Sequence, residues 1–307
     1  MNKWIRAARC RTLPLSLSAV ITGVAVGLFR QSSEELGYPL VCGIIFILLT
    51  AVLLQILSNY ANDYGDQLSG VDNTPRVGRI SLVSSGGMTM QDLKKGILVL
   101  AAGCAVSGLI AIVGCFWNSW GDFVLFVILG ILAMIAAVGY TLGPAFSYLG
   151  LGDLFVFLFF GLTSVMGSEY MIAHNFSFYG ILLGVNAGAT SVMVLNVNNL
   201  RDYESDIIGG KRSLVVRLGL KFGRRYHLAL WILSFVLSLV FSIHLGCSAS
   251  SFWPATIAPV LLPLAMTTFY VINPRNGGSG LEPAMKRTSL SASLINIWAA
   301  VLLLVTG

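Results

Sequence analysis

Six of the thirteen carboxylates in this chain fall in two short, asparagine-rich stretches. The first runs Asn59-Tyr-Ala-Asn62-Asp63-Tyr-Gly-Asp66-Gln-Leu-Ser-Gly70-Val-Asp72. The second runs Asn196-Val-Asn198-Asn199-Leu-Arg201-Asp202-Tyr-Glu204-Ser-Asp206-Ile-Ile-Gly209-Gly210-Lys211. If helices continue into these stretches, Asp63 and Asp66 (i, i+3) share one face and Asp202 and Asp206 (i, i+4) share another, one turn apart. Like charges stacked in this way repel and call for a cation, either a basic side chain or a divalent metal. Oxygen donors from Asp and Asn suit Mg²⁺, which keeps waters and shares its coordination with substrate phosphates. Two such faces could clamp one diphosphate between metal ions. Arg76, Arg79, Arg201, Lys211 and Arg212 are then candidates for the remaining phosphate oxygens. Solvated loop charges are the bland alternative. Against it, the pattern occurs twice, each time at the exit of an apolar segment and each time followed by Gly and basic residues.

The elements that must position these residues are apolar. Of 307 residues, 56% are hydrophobic and 10% charged, and the mean hydropathy is +0.83, against about 25% charged residues in a soluble domain. Apolar stretches recur along the whole length, which predicts an all-α polytopic membrane protein forming one domain over 1–307. With a ruler of roughly 20 residues per span, nine transmembrane helices are expected. They cover 13–29, 39–58, 97–117, 122–140, 153–173, 178–198, 226–246, 252–272 and 288–306. The first resembles a signal peptide but lacks a strong small-residue cleavage site, and Arg30 follows at once.

The net charge of +6 would suggest nucleic acid in a soluble protein, but here its distribution gives topology. Four Lys and Arg lie in 1–12, four in 59–96, seven in 199–225 and three in 273–287, leaving only Arg30 for the opposite face. The positive-inside rule puts the N-terminus and both Asp-rich loops in the cytoplasm and the C-terminus outside, in a plasma (inner) membrane. Asp63 to Asp202 is 139 residues and Asp66 to Asp206 is 140. Each motif follows the second span of a four-span group, so helices 1–4 and 5–8 read as an internal duplication with a ninth appended. Gly23/Gly27 and Gly180/Gly184/Gly188 have the spacing of close helix packing. The five cysteines form no CxxC pair and read as packing residues; the three scattered histidines read as interfacial or satisfied.

The segments NDYGDQLSGVD (62–72), GYTLGPAFSYLGLGD (139–153) and NNLRDYESDIIGGKRSLVVRLG (198–219) resemble the motifs of the UbiA superfamily of intramembrane prenyltransferases. The nearest branch prenylates 1,4-dihydroxy-2-naphthoate in menaquinone biosynthesis, and WIRAARCRTLPLSLSAVITG (4–23) fits it too. The resemblance implies helices around a central cavity and Mg²⁺-dependent transfer of a polyprenyl chain from its diphosphate to the naphthoate, with loss of CO₂ and diphosphate, giving demethylmenaquinone. Carried over by position, it makes Asn62, Asp63 and Asp66 the first metal motif, Asp202 and Asp206 the second, Lys211 the basic residue after it, and Tyr140 the tyrosine of the middle segment. Asn59, Asn198, Asn199, Asp72, Arg76, Arg79 and Arg201 complete the expected substrate contacts.

The chain departs from the wider pattern in three places. Gly70 stands where a third Asp is common, with Asp72 two positions on; Ser81 stands where an Arg is common; and Cys10 interrupts the usual ARPR. Two other readings fit parts of the pattern: a related prenyltransferase with another aromatic or lipid acceptor, and a secondary transporter or divalent-cation channel. Transport fits less well, because both Asp pairs sit at one membrane face rather than at the midplane.

Overall fold

The computed structural model describes residues 2–31, 37–68, 82–143, 145–249 and 256–307. The expected positions Asp72, Arg76 and Arg79 lie outside the described residues, as do Gly70 and Ser81. Among the described residues every regular element is helical. In chain order they are α1 (Lys3–Ala7), α2 (Leu13–Arg30), α3 (Tyr38–Leu68), α4 (Met90–Phe116), α5 (Trp120–Gly139), α6 (Gly152–Val156) and α7 (Ser168–Ala173). Then follow α8 (Phe178–Arg201), α9 (Tyr203–Ile208), α10 (Leu214–Leu218), α11 (Leu220–Ala249), α12 (Ile257–Ile272) and α13 (Glu282–Thr306). A π-helical run, Phe157–Gly167, joins α6 and α7 into one 22-residue rod.

Eight of these helices are long and apolar enough to cross a bilayer, in the places where the first eight expected spans, apart from 252–272, and the last one fall. The expected span 252–272 is represented by the 16 residues of α12, and 250–255 before it are not described. α5 exposes Leu125, Ile128, Leu129, Ile131, Leu132 and Ile135. In water each would forgo about 1.5–3 kcal/mol of burial, so this face belongs against lipid. The chain is an integral membrane protein.

Local signals set the helix ends. Thr89 and Asp92 form a reciprocal capping box at the start of α4. The Ser177 hydroxyl accepts from Gly180 N at 3.0 Å to start α8. Gly219, at φ +85°, separates α10 from α11.

The chain forms two compact units. One comprises Met1–Leu17, Ser33–Gly152 and Glu204–Ser213; the other comprises Ser18–Ser32, Asp153–Tyr203 and Leu214–Gly307. Their boundaries differ from the expected repeat of helices 1–4 and 5–8, because most of α2 sorts with the second unit and the tail of the second acidic motif with the first. In the first unit α3, α4 and α5 pack together, and Ala7, Tyr60, Leu82 and Leu93 form a core beneath the N-terminal segment. In the second unit α8 is the hub, packing on the π-helical run, α11 and α13.

The glycines divide by cause. A side chain on Gly161 would collide with the backbone of Gly188, so this pair does mark a close helix approach. Gly180 also allows a close approach, here of a side chain: a Cβ there would overlap the buried carboxylate of Glu169 on α7. His227 differs too, being fully buried with neither ring nitrogen hydrogen-bonded among the described residues. Cys104 and Cys115 are buried packing residues as expected, whereas Cys10 and Cys247 are exposed.

Candidate active site

α3 carries the first acidic motif to its C-terminal end, so Asp63 and Asp66 do share a helix face one turn apart. Both are buried, at 3% and 7% exposure, which contradicts the picture of solvated loop charges. A buried carboxylate needs a cation or hydrogen-bond donors. Asp63 has Arg9, whose guanidinium pairs with its Oδ1. Arg9 holds a left-handed backbone, φ 48° and ψ 53°, between α1 and the short turn Cys10–Thr12. Such a conformation costs of order 1–3 kcal/mol in a non-glycine residue, and the ion pair with Asp63 offsets that strain.

Asn59 donates to Ala8 O at 2.9 Å and to Thr12 Oγ1 at 3.2 Å. Its amide thereby anchors the N-terminal segment on α3. Thr141 shares its hydroxyl proton between Ala61 O and Asn62 Oδ1, both at 3.0 Å. Gly65 is required opposite it, since a side chain would strike Thr141.

The middle segment after α5 folds back on itself. Ser147 N donates to Tyr140 O at 2.9 Å, and Gly143, Ala145 and Gly150 all take positive φ. Tyr140 is half-buried at the end of α5. Tyr148, eight residues on, donates its hydroxyl to Asp66 Oδ1 at 2.9 Å.

The same unit contains 204–213 from the second motif. Asp206 is fully buried on α9. Gly210, at φ +71°, turns the chain so that Lys211 N donates to Asp206 O at 2.9 Å. The Lys211 ammonium thus returns to 4.0 Å from Asp206 Oδ1 and lies over the Tyr148 ring, 5.7 Å from its centroid. Gly209 and Gly210 thus lie in the turn that brings the lysine back toward Asp206.

The second unit holds the rest of that motif. α8 ends at Arg201, and Asp202 takes φ −93° and ψ 11° before α9 starts at Tyr203. Asp202 and Asp206 therefore do not share one continuous helix as expected; the helix breaks at Asp202 itself, in the sparsely populated bridge region. Arg201 and Asp202 are both 6% exposed. All five guanidinium N–H groups of Arg201 have partners in Asp202, Glu282, Asn198 and the Met285 sulfur. In this structure its guanidinium is engaged with Asp202 and Glu282. Asn199 is buried beside it in sequence.

Arg9, Tyr148 and Glu282 are polar partners of the motifs that motif spacing alone did not single out. In the sequence Arg9 reads only as one of the basic residues that set topology, Tyr148 lies within the segment 139–153, and Glu282 carries no signal. Among the described residues, no three Asp, Glu, His or Cys side chains converge to cage a metal on their own. Carboxylate pairs with neighbouring amides still fit Mg²⁺, an ion bound through one or two carboxylates plus waters and substrate phosphates.

α3 and α8, two of the helices long and apolar enough to span a membrane, thus each lead into buried Asn and Asp residues paired with an arginine, as in an intramembrane protein with a polar site at its helix ends. The chain belongs to the UbiA prenyltransferase family, which matches residues 19–305. It is 39% identical over 298 residues to the 1,4-dihydroxy-2-naphthoate octaprenyltransferase of Escherichia coli, covering 96% of this chain and 92% of that one. It is 35% identical over 306 residues to the protein of the same name from Haemophilus influenzae, covering 99% and 96%. Its fold is similar to that of a UbiA homolog from Archaeoglobus fulgidus bound to GPP and Mg²⁺, with a TM-score of 0.64 at 15% identity over 98% of this chain and 99% of that one.

Proposed function

We propose that this protein, acting as a single domain, transfers a polyprenyl chain from polyprenyl diphosphate to 1,4-dihydroxy-2-naphthoate, releasing diphosphate and CO₂ and forming the quinol form of demethylmenaquinone. The observation that carries this reading is the end-to-end match to curated relatives that bear the naphthoate prenyltransferase name. The four buried aspartates and the returning Lys211 give it a chemical basis.

Asp63, Asp66, Asp202 and Asp206 would hold Mg²⁺. An Mg²⁺ ion held by these carboxylates would supply positive charge against the charge that develops on the departing diphosphate. Lys211 adds a compact cation to the same leaving group. Arg201 keeps the Asp202 carboxylate oriented, and Arg9 does the same for Asp63. Tyr140 offers an aromatic face to the allylic cation, and the apolar helices keep water from it. The diphosphate C–O bond breaks to give that cation, a naphthoate ring carbon then forms the new C–C bond to it, and the ring carboxylate leaves as CO₂. Asp72, Arg76 and Arg79, which follow α3 in the sequence, would add phosphate contacts. The protein sits in the plasma membrane with its N-terminus and both acidic motifs cytoplasmic and Gly307 outside.

The test is pyrophosphate release by purified protein in detergent, given Mg²⁺, a polyprenyl diphosphate and one acceptor at a time. Release with 1,4-dihydroxy-2-naphthoate and not with 4-hydroxybenzoate or homogentisate supports the reading. Release with a different acceptor alone overturns the naphthoate assignment.

A further inference from the structure

Tyr148 touches both acidic motifs with three separate parts of one residue. Its hydroxyl donates to Asp66 Oδ1 at 2.9 Å. Its ring lies beneath the Lys211 ammonium, 5.7 Å away. Its carbonyl accepts from Arg212 N at 3.1 Å. We propose that Tyr148 is a positioning residue that fixes the Asp66 carboxylate for metal and the Lys211 ammonium for diphosphate, tying the end of the first motif to 204–213 of the second within one compact unit. This rests on the metal and diphosphate roles given above.

The division of labour follows from the chemistry of each contact. A neutral phenol donating to one oxygen of Asp66 leaves the carboxylate charged, stops its rotation and directs its other oxygen elsewhere. Metal-ligating carboxylates are held by outer hydrogen bonds of this kind, and losing one typically weakens metal binding or activity about 10- to 100-fold. The aromatic face attracts an ammonium without neutralising it. Lys211 is thereby held between the Tyr148 ring and Asp206 Oδ1, 4.0 Å away, with its side chain mostly buried.

Tyr148 is itself rigidly placed. Tyr148 N donates to Ala145 O at 2.8 Å, and Leu151 N closes the turn on Phe146 O at 3.1 Å. Phenol, ring and backbone therefore cannot move independently.

The experiment separates the two contacts. Tyr148→Phe keeps the ring under Lys211 and removes only the bond to Asp66, whereas Tyr148→Leu removes both. Mn²⁺ serves as the metal probe, with inorganic pyrophosphate present, and its binding to the protein in detergent is followed by electron paramagnetic resonance. The diphosphate and acceptor KM are measured alongside, at saturating Mg²⁺. Asp66→Asn is the reference for loss of the metal ligand, and thermal unfolding reports the fold of each variant.

The expected result for Tyr148→Phe is Mn²⁺ binding weakened about 10- to 100-fold, with the diphosphate KM unchanged at saturating metal. Tyr148→Leu should add a rise in diphosphate KM while the acceptor KM stays constant. If Asp66→Asn loses Mn²⁺ and both Tyr148 variants bind it like the parent, the positioning role is wrong and the metal reading stands. If Asp66→Asn itself binds Mn²⁺ like the parent, the metal reading of Asp66 fails and takes this proposal with it.

Discussion

Arg201 closes a two-point fork on the residue that follows it: Nε donates to Asp202 Oδ1 at 2.7 Å and Nη2 to Oδ2 at 2.6 Å. Neighbours in sequence rarely meet this way inside a helix, where i and i+1 point apart. The break in α8 at Asp202 makes the fork possible. Nη1 reaches across to Glu282 at the start of α13, so one guanidinium joins the end of one membrane helix to the beginning of another.

Arg201→Ala leaves Asp202 buried without its cation, and breaking such a pair costs about 3–5 kcal/mol. Thermal unfolding in detergent should fall by many degrees. Arg201→Lys should recover only part of the loss, because an ammonium cannot span both oxygens of Asp202 and reach Glu282 as well. Equal melting temperatures for parent, Lys and Ala forms would remove the structural role assigned to the fork.

Asp66→Ala and Asp202→Ala should each abolish prenyl transfer in a protein that still folds. A loss of several kcal/mol in charge stabilisation corresponds to about a thousandfold in rate. In the Asp202 variant Arg201 keeps Glu282 and Asn198 as partners, which protects the fold. Asp122→Ala is the control. Asp122 lies in the first turn of α5, where it accepts from Ser119 Oγ at 2.6 Å, and its loss should leave activity nearly unchanged. Retention of more than roughly a tenth of the activity in either Asp66 or Asp202 variant contradicts transition-state stabilisation of that size.

Lys211→Gln should reduce kcat/KM for the prenyl diphosphate about tenfold or more while the KM for the aromatic acceptor stays within about twofold. The ammonium sits with Asp206 and Tyr148, in the unit that also contains Asp63 and Asp66. A lysine serving only membrane topology would leave both diphosphate constants untouched.

Cysteine-accessibility labelling should find positions in 82–89 and 204–213 open to the cytoplasm and Gly307 open on the other side. Eighteen of nineteen basic residues on one face of the expected topology motivate this. Exposed Trp117 and Trp120 at the α4–α5 turn match the aromatic belt of the opposite interface. Labelling of the two acidic segments from opposite sides would end the shared-diphosphate mechanism.

What could be read in advance was local or periodic. Uninterrupted apolar stretches predicted the membrane helices, the spacing of Asp63 and Asp66 placed them on one face, and Gly209-Gly210 signalled the turn that returns Lys211. The features that escaped depend on contacts far along the chain. Arg9 meets Asp63 across 54 positions and Tyr148 meets Asp66 across 82, and no periodicity links either pair. Burial of Asp63 and Asp66 was hidden for the same reason, since Arg9 and Tyr148 come from remote segments. The helix break at Asp202 was missed because nothing there carries a breaker residue; side-chain capture by Arg201 competes with the helix instead. Gly180 looked like half of a packing motif, yet the group it accommodates is a carboxylate from another helix.

The first compact unit is completed only by Glu204–Ser213, which has a consequence for biosynthesis. Asp66 emerges from the ribosome 140 residues before Asp206, an interval of roughly 7–28 s at about 5–20 residues per second. The nascent chain therefore inserts α3, α4 and α5 while the lysine and carboxylate that finish their unit are still untranslated. Arg9 is made earlier than either acidic motif, so Asp63 has its counter-charge from the outset, whereas Lys211 comes only at the end of the interval. A chain terminated anywhere between α5 and Lys211 carries the first motif without that cation.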